Sequence, residues 1–127
     1  MTERFLVVRV AGREFALRAS RIGGLVQAAG LTIVPREGRE PYRYNVSMDG
    51  RDISVIVPNG VLCLPERPIG SRTCLILIDG RPEAILVDSV SRFEEIEPVD
   101  LRPPDRVRIG NKWRTVLDVD RFAVKAA

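Results

Sequence analysis

Apolar and polar positions alternate along most of this chain, and four dipeptides suited to tight turns interrupt the alternation. Ala11-Gly12, Asp49-Gly50, Asp79-Gly80 and Gly110-Asn111 each separate two β-rich runs. Glycine, Asn and Asp tolerate the positive φ of type I′ and II′ turns, so these pairs predict two-residue hairpin turns. The first hairpin joins residues 5–10 to 13–18, whose second arm turns Phe15 and Leu17 inward. A second runs from 44–48 into 52–57 and is stopped by Pro58-Asn59-Gly60. The third joins 73–78 to 83–87; its arms are almost continuously apolar, as expected of strands buried on both faces. A fourth joins 106–109 to 113–117.

The connections read differently. Ser20 is placed to cap a short helix that Gly23-Gly24 cuts off before Val26. Residues 31–35 form a β-branched run ending at Pro35, 36–44 an exposed loop, 61–64 a helical turn and 65–71 a polar connection broken by prolines. Val90 and Phe93 extend the packing of the third hairpin, and Glu94, Glu95 and Glu97 make a small acidic patch before a loop over 98–105. A last helical turn spans 118–124, with Asp118 and Asp120 as its caps. Short strands at this density favour closure, because a closed sheet has no exposed edges. The fold class is therefore all-β, as two packed barrels or one elongated barrel, with the doubly buried third hairpin where two barrels meet.

Composition narrows the chemistry. The 127 residues make one domain able to bury a core unaided, and they include no histidine. The usual general base, metal ligand and nucleophile partner are thus missing, which argues against an enzyme and leaves no expected cofactor or metal. Cys63 and Cys74 lie in apolar runs without CxxC spacing and read as buried, reduced core residues. A net charge of +3 arises from 20 basic residues interspersed with 17 acidic ones, a mixed solvated surface rather than a nucleic-acid footprint. No run approaches the ~18 apolar residues of a membrane span, and the first residues lead straight into a strand, so a cytoplasmic protein without direct membrane insertion is expected. Asp88 and Asp118 each follow a buried strand and read as caps rather than an acid–base pair. Trp113, with Tyr42 and Tyr44, is too sparse for a base-stacking platform and reads as packing. Residues 52–57 approach the Asp-x-Ser-x-x-Gly signature of cyclic-dinucleotide barrels, but Val57 replaces the glycine. A small barrel binding a nucleic acid or cyclic dinucleotide is the alternative reading.

Four segments carry a family resemblance: residues 5–17 with the corner to Val26, the central hairpin around Asp49-Gly50, residues 84–90, and 116–122. In order and spacing they resemble the CheW-like domain, the adaptor module of bacterial chemotaxis also found as the regulatory domain of CheA histidine kinases. The resemblance implies two small SH3-like, five-stranded β-barrels with short helical corners in one domain over 1–127. It also implies a non-enzymatic adaptor that docks a CheA-type kinase regulatory domain by its barrel ends and presents a groove to a chemoreceptor cytoplasmic tip at receptor arrays. Carried onto this chain, the receptor contact falls on Leu25 and Val26 and on the turn Met48, Asp49, Gly50 and Arg51. Two departures mark a divergent member. Asp49 stands where the family usually has an arginine that helps organise receptor contact, a charge reversal, and the connection from Phe93 to Trp113 is short.

Overall fold

A computed structural model describes residues 1–37 and 41–120. Twelve strands follow one another: β1 (Glu3–Val10), β2 (Arg13–Arg18), β3 (Ile22–Gln27), β4 (Ile33–Pro35), β5 (Tyr42–Met48), β6 (Arg51–Ile56), β7 (Cys74–Ile78), β8 (Glu83–Val87), β9 (Ser89–Ile96), β10 (Leu101–Arg102), β11 (Arg106–Ile109) and β12 (Lys112–Val116). They form two six-stranded sheets. Sheet A has the order β10-β11-β12-β2-β1-β9 and sheet B the order β3-β7-β8-β6-β5-β4. In each, five strands are joined by one short edge strand, β10 in A and β4 in B. Sheet B is contiguous in sequence, whereas sheet A is assembled from both flanks, the β1–β2 hairpin being held between β12 in parallel and β9 antiparallel.

Each sheet curls around its own core. Phe5, Val7, Ala16, Ile96, Val107, Ile109 and Val116 fill barrel A, and the edge strand β9 comes round to meet β11. Val46, Ile53, Val55, Leu75 and Ala84 fill barrel B, with Leu31 and Ile33 packed on them. Strand alternation then sends the opposite set outward. Leu6, Val8, Val10, Phe15 and Leu17 from A meet Ile56, Ile76, Ile78, Ile85 and Val87 from B in a third, shared core. β7 and β8 are thus apolar on both faces for the expected reason: one face fills barrel B and the other joins the barrels.

The hairpins fall where the turn dipeptides put them, with one difference. Ala11 (φ 51°) and Gly12 (φ 80°), and Asp49 (φ 52°) and Gly50 (φ 75°), take the paired positive φ of type I′ turns. Asp79-Gly80 instead belongs to a four-residue connection over 79–82, in which the Arg81 N–H donates to the Ile78 carbonyl at 3.3 Å. Pro82, lacking an N–H, delays the ladder.

The connections depart further from expectation. The short helix expected from Ser20 to the glycine pair is a single 3-10 turn, Ala19–Arg21, begun by Arg18 without a side-chain cap, and Leu25 and Val26 lie on β3. Gly23 and Gly24 do not stop a helix. They admit β7, for a Cβ on Gly23 would sit 3.2 Å from Asp79 Cα and one on Gly24 3.3 Å from Leu77 Cδ1. The expected loop over 36–44 already contains the start of β5, and that over 98–105 contains a 3-10 turn, Pro98–Asp100, and β10. At 58–64 one helical turn ends in a Schellman motif, with the Leu64 N–H on the Asn59 carbonyl (2.8 Å) and the Cys63 N–H on the Gly60 carbonyl (3.2 Å). Cys63 takes the left-handed position of that motif, at φ 56°, and is exposed rather than buried. Of the last helical turn, 121–124 lie outside the described residues.

Candidate functional site

The edge strands of the two sheets border one groove. On β3, Leu25 pairs with Ile76, Val26 with Leu75 and Gln27 with Cys74. Cross-strand partners share a face, so Leu25 and Gln27 look toward barrel A while Val26 looks into barrel B. On β9, Val90 pairs with Val8 and Phe93 with Leu6, which puts both on the shared-core face. Three residues apart, they would normally oppose each other; a bulge at Ser91, where the register slips between Val7 and Val8, restores them to one side. The groove between, about 400 Å³, is lined by half-buried Cys74 and Val90, by exposed Arg9, Gln27 and Arg72, and by serines. Leu25 is next in the row after Gln27 and is 41% exposed; Phe93, farther along β9, is 38% exposed, with the Arg4 guanidinium 4.2 Å above its ring. Burial pushes the Cys74 thiol pKa up, so at neutral pH it lines the groove as an uncharged, weakly polar group.

The remaining residues expected at the site lie elsewhere. Met48 is half-buried against the core of barrel B, leaving Asp49, Gly50 and Arg51 exposed on the β5–β6 hairpin tip. In sheet order β7, β8 and β6 separate β3 from β5. The Ser54 N–H donates to the Pro82 carbonyl (3.0 Å), and that of Asp79 to the Arg21 carbonyl (2.9 Å). These bonds set the hairpin tip at the end of barrel B where β3 begins, whereas Gln27 and Cys74 mark the other end of β3. The expected site therefore divides into Leu25, on β3 next to the groove-lining Gln27, Val26 turned inward and a separate hairpin tip. Cys74, Gln27, Arg9 and Arg72 were missed as groove residues, and so was exposed Phe93 farther along β9.

Asp88, Asp118 and Asp120 are held in structural contacts. Asp88 Oδ2 accepts the Ala11 N–H at 2.7 Å, tying the first turn to the end of β8, and Asp118 Oδ1 accepts the Asp120 N–H at 3.0 Å. Asp120 Oδ1 takes Arg21 (2.7 Å) and Arg81, and the backbone it was expected to cap lies outside the described residues. Glu94 pairs with Arg92 and Glu95 with Arg4, so the expected acidic patch is largely neutralised. Among the described residues no three His, Cys, Asp or Glu side chains converge as metal ligands, and no helix is long and apolar enough to cross a membrane.

Comparison with known proteins agrees with this architecture. A search of curated proteins finds no match. A solved structure of the scaffolding protein TtCheW from Thermoanaerobacter tengcongensis superposes with a TM-score of 0.80 at 17% identity, over 94% of this chain and 86% of that one. The two share the fold of paired SH3-like barrels. The CheW-like domain matches residues 4–121, from the first strand of sheet A to the segment beyond β12. A match of that extent, on two barrels joined by one core, makes this chain a member of the CheW-like domain family.

Proposed function

We propose that the chain is a non-catalytic adaptor of bacterial chemotaxis or a related signalling pathway, coupling a chemoreceptor to a CheA-type histidine kinase. The observation that carries this reading is the groove between β3 and β9. In a chain of this family, it leaves Leu25 and Phe93 exposed beside a lining of Cys74 and Val90. Such a groove suits one apolar stripe of a helical receptor tip. The kinase regulatory domain would dock on the barrel ends, and the single core shared by the barrels would keep the two surfaces in fixed geometry. Coupling between sites needs that kind of rigid connection. The hairpin tip Met48–Arg51 would be a second receptor contact, its specificity altered by Asp49.

The cysteines supply the test, since Cys74 lines the groove and Cys63 is exposed outside it. Alkylation of both is followed with and without a receptor cytoplasmic tip. Docking should slow modification of Cys74 and leave Cys63 unchanged, and Leu25→Glu should abolish the protection without unfolding the protein. Asp49→Arg should change receptor affinity with the fold intact. Equal modification of Cys74 with and without the tip would remove the groove from the reading. A parallel titration with the kinase regulatory domain should shift backbone amides at one barrel end only.

A further inference from the structure

Barrel A carries a basic row on its outer face, away from the groove. Arg102 pairs with Arg106, Arg108 with Trp113 and Thr115 with Phe15. Arg102, Arg106, Arg108 and Trp113 therefore share the face on which Phe15 enters the joint core, and alternation along β2 adds Arg13. Arg102 lies 4.6 Å and Arg108 5.8 Å from the centroid of the Trp113 ring. Asp100 Oδ1 takes Arg108 through Nε (2.8 Å) and Nη2 (2.6 Å). Among the described residues Arg13, Arg102 and Arg106 have no carboxylate partner. Three arginines without a carboxylate partner are thus gathered on one exposed face beside Trp113, whereas Arg36, Arg51, Arg67 and Arg72, which also have none among the described residues, lie elsewhere in the fold.

We propose that this face of β10, β11 and β12 docks an acidic polypeptide segment of a partner protein. A guanidinium stacked on an indole keeps its N–H donors in its own plane, free for bidentate bonds to carboxylates, and it loses less freedom when they form. Arginines on adjacent strands stand ~4.8 Å apart at the backbone, close to the ~5–6 Å between side chains four residues apart on a helix. A helix with glutamates at that spacing complements the row. Single-stranded nucleic acid fits less well. Trp113 is the one tryptophan of the chain, and guanidinium groups already cover its ring, leaving no platform for a base.

The test is an amide-shift titration of isotope-labelled protein with four probes: an alanine-based helical peptide carrying glutamates four residues apart, its glutamine counterpart, an oligothymidylate, and phosphatidylglycerol vesicles. The glutamate peptide should give saturable shifts at Arg102, Arg106, Arg108 and Trp113, including the indole N–H. Arg102→Gln with Arg106→Gln should weaken it at least about ten-fold, while Arg92→Gln, on the far edge strand β9 of sheet A, should leave it unchanged. Equal binding of the glutamine peptide would overturn the proposal, as would stronger effects of the oligonucleotide or vesicles on these residues. So would glutamate-peptide shifts confined to the β3–β9 groove, or none at all.

Discussion

Glu14 and Tyr42 hold their protons in opposite senses, and both bear on stability. The hydrogen bond from Arg114 lowers the Glu14 pKa below its ordinary 4.5, against the opposing effect of burial. A depressed carboxylate stabilises the fold above its unfolded pKa and loses that contribution as pH falls through the folded value. Burial, then the hydrogen bond to Glu83, raises the Tyr42 phenol from 10.0 to about 12. A raised phenol stabilises fully below pH 10.0 and loses its contribution as pH climbs toward 12. Urea unfolding across pH should therefore show the acid limb flattened by Glu14→Gln and the alkaline limb by Tyr42→Phe. The second variant should also cost about 1–3 kcal/mol at neutral pH through the lost charge-assisted bond. Single-residue legibility was uneven. Asp88 and Asp118 were readable as caps because a carboxylate after a strand has few other uses. Cys63 was not, because its apolar neighbours Val61, Leu62 and Leu64 suggested burial while the backbone turn ejects that one side chain.

Among the elements, the β1–β2 turn depends on a distant residue. Asp88 accepts the Ala11 N–H from across the molecule, and its own N–H donates to the Arg9 carbonyl at 2.9 Å. Asp88→Ala should cost about 1–2 kcal/mol, the usual loss of a buried or capping acceptor. Urea denaturation would measure it, and amide exchange should quicken at Ala11 ahead of the rest of β1. The hairpins were legible because glycine, Asn and Asp report positive φ directly. β3 was hidden, since a glycine pair signals a helix stop as readily as a close strand crossing, and only the positions of Asp79 and Leu77 decide between them. The groove was hidden for a different reason. A period-two reading separates Val90 from Phe93, and the bulge at Ser91 that reunites them depends on the partner strand, not on local composition.

For the molecule as a whole, the shared core makes the barrels one thermodynamic unit. Ile85 is fully buried there, paired with Ile56 and Ile76 of its own sheet in the cluster that also holds Leu6, Val8 and Leu17 of the other. Ile85→Ala should cost about 2–5 kcal/mol, and hydrogen exchange should accelerate together in both sheets; acceleration confined to sheet B would contradict the single unit. The two-barrel architecture was visible in the doubly apolar third hairpin, but the partition of strands between sheets was not, because β12 beside β2 is a pairing between residues about a hundred positions apart. That arrangement bears on assembly during synthesis. As the chain leaves the ribosome, β1 and β2 emerge before sheet B yet lack β9 and β12, which follow it. Sheet B, complete once β8 appears, is free to close in the interval. The N-terminal hairpin must wait with an apolar strand on each flank unsatisfied, a long-range closure of the kind that slows folding and invites chaperone contact.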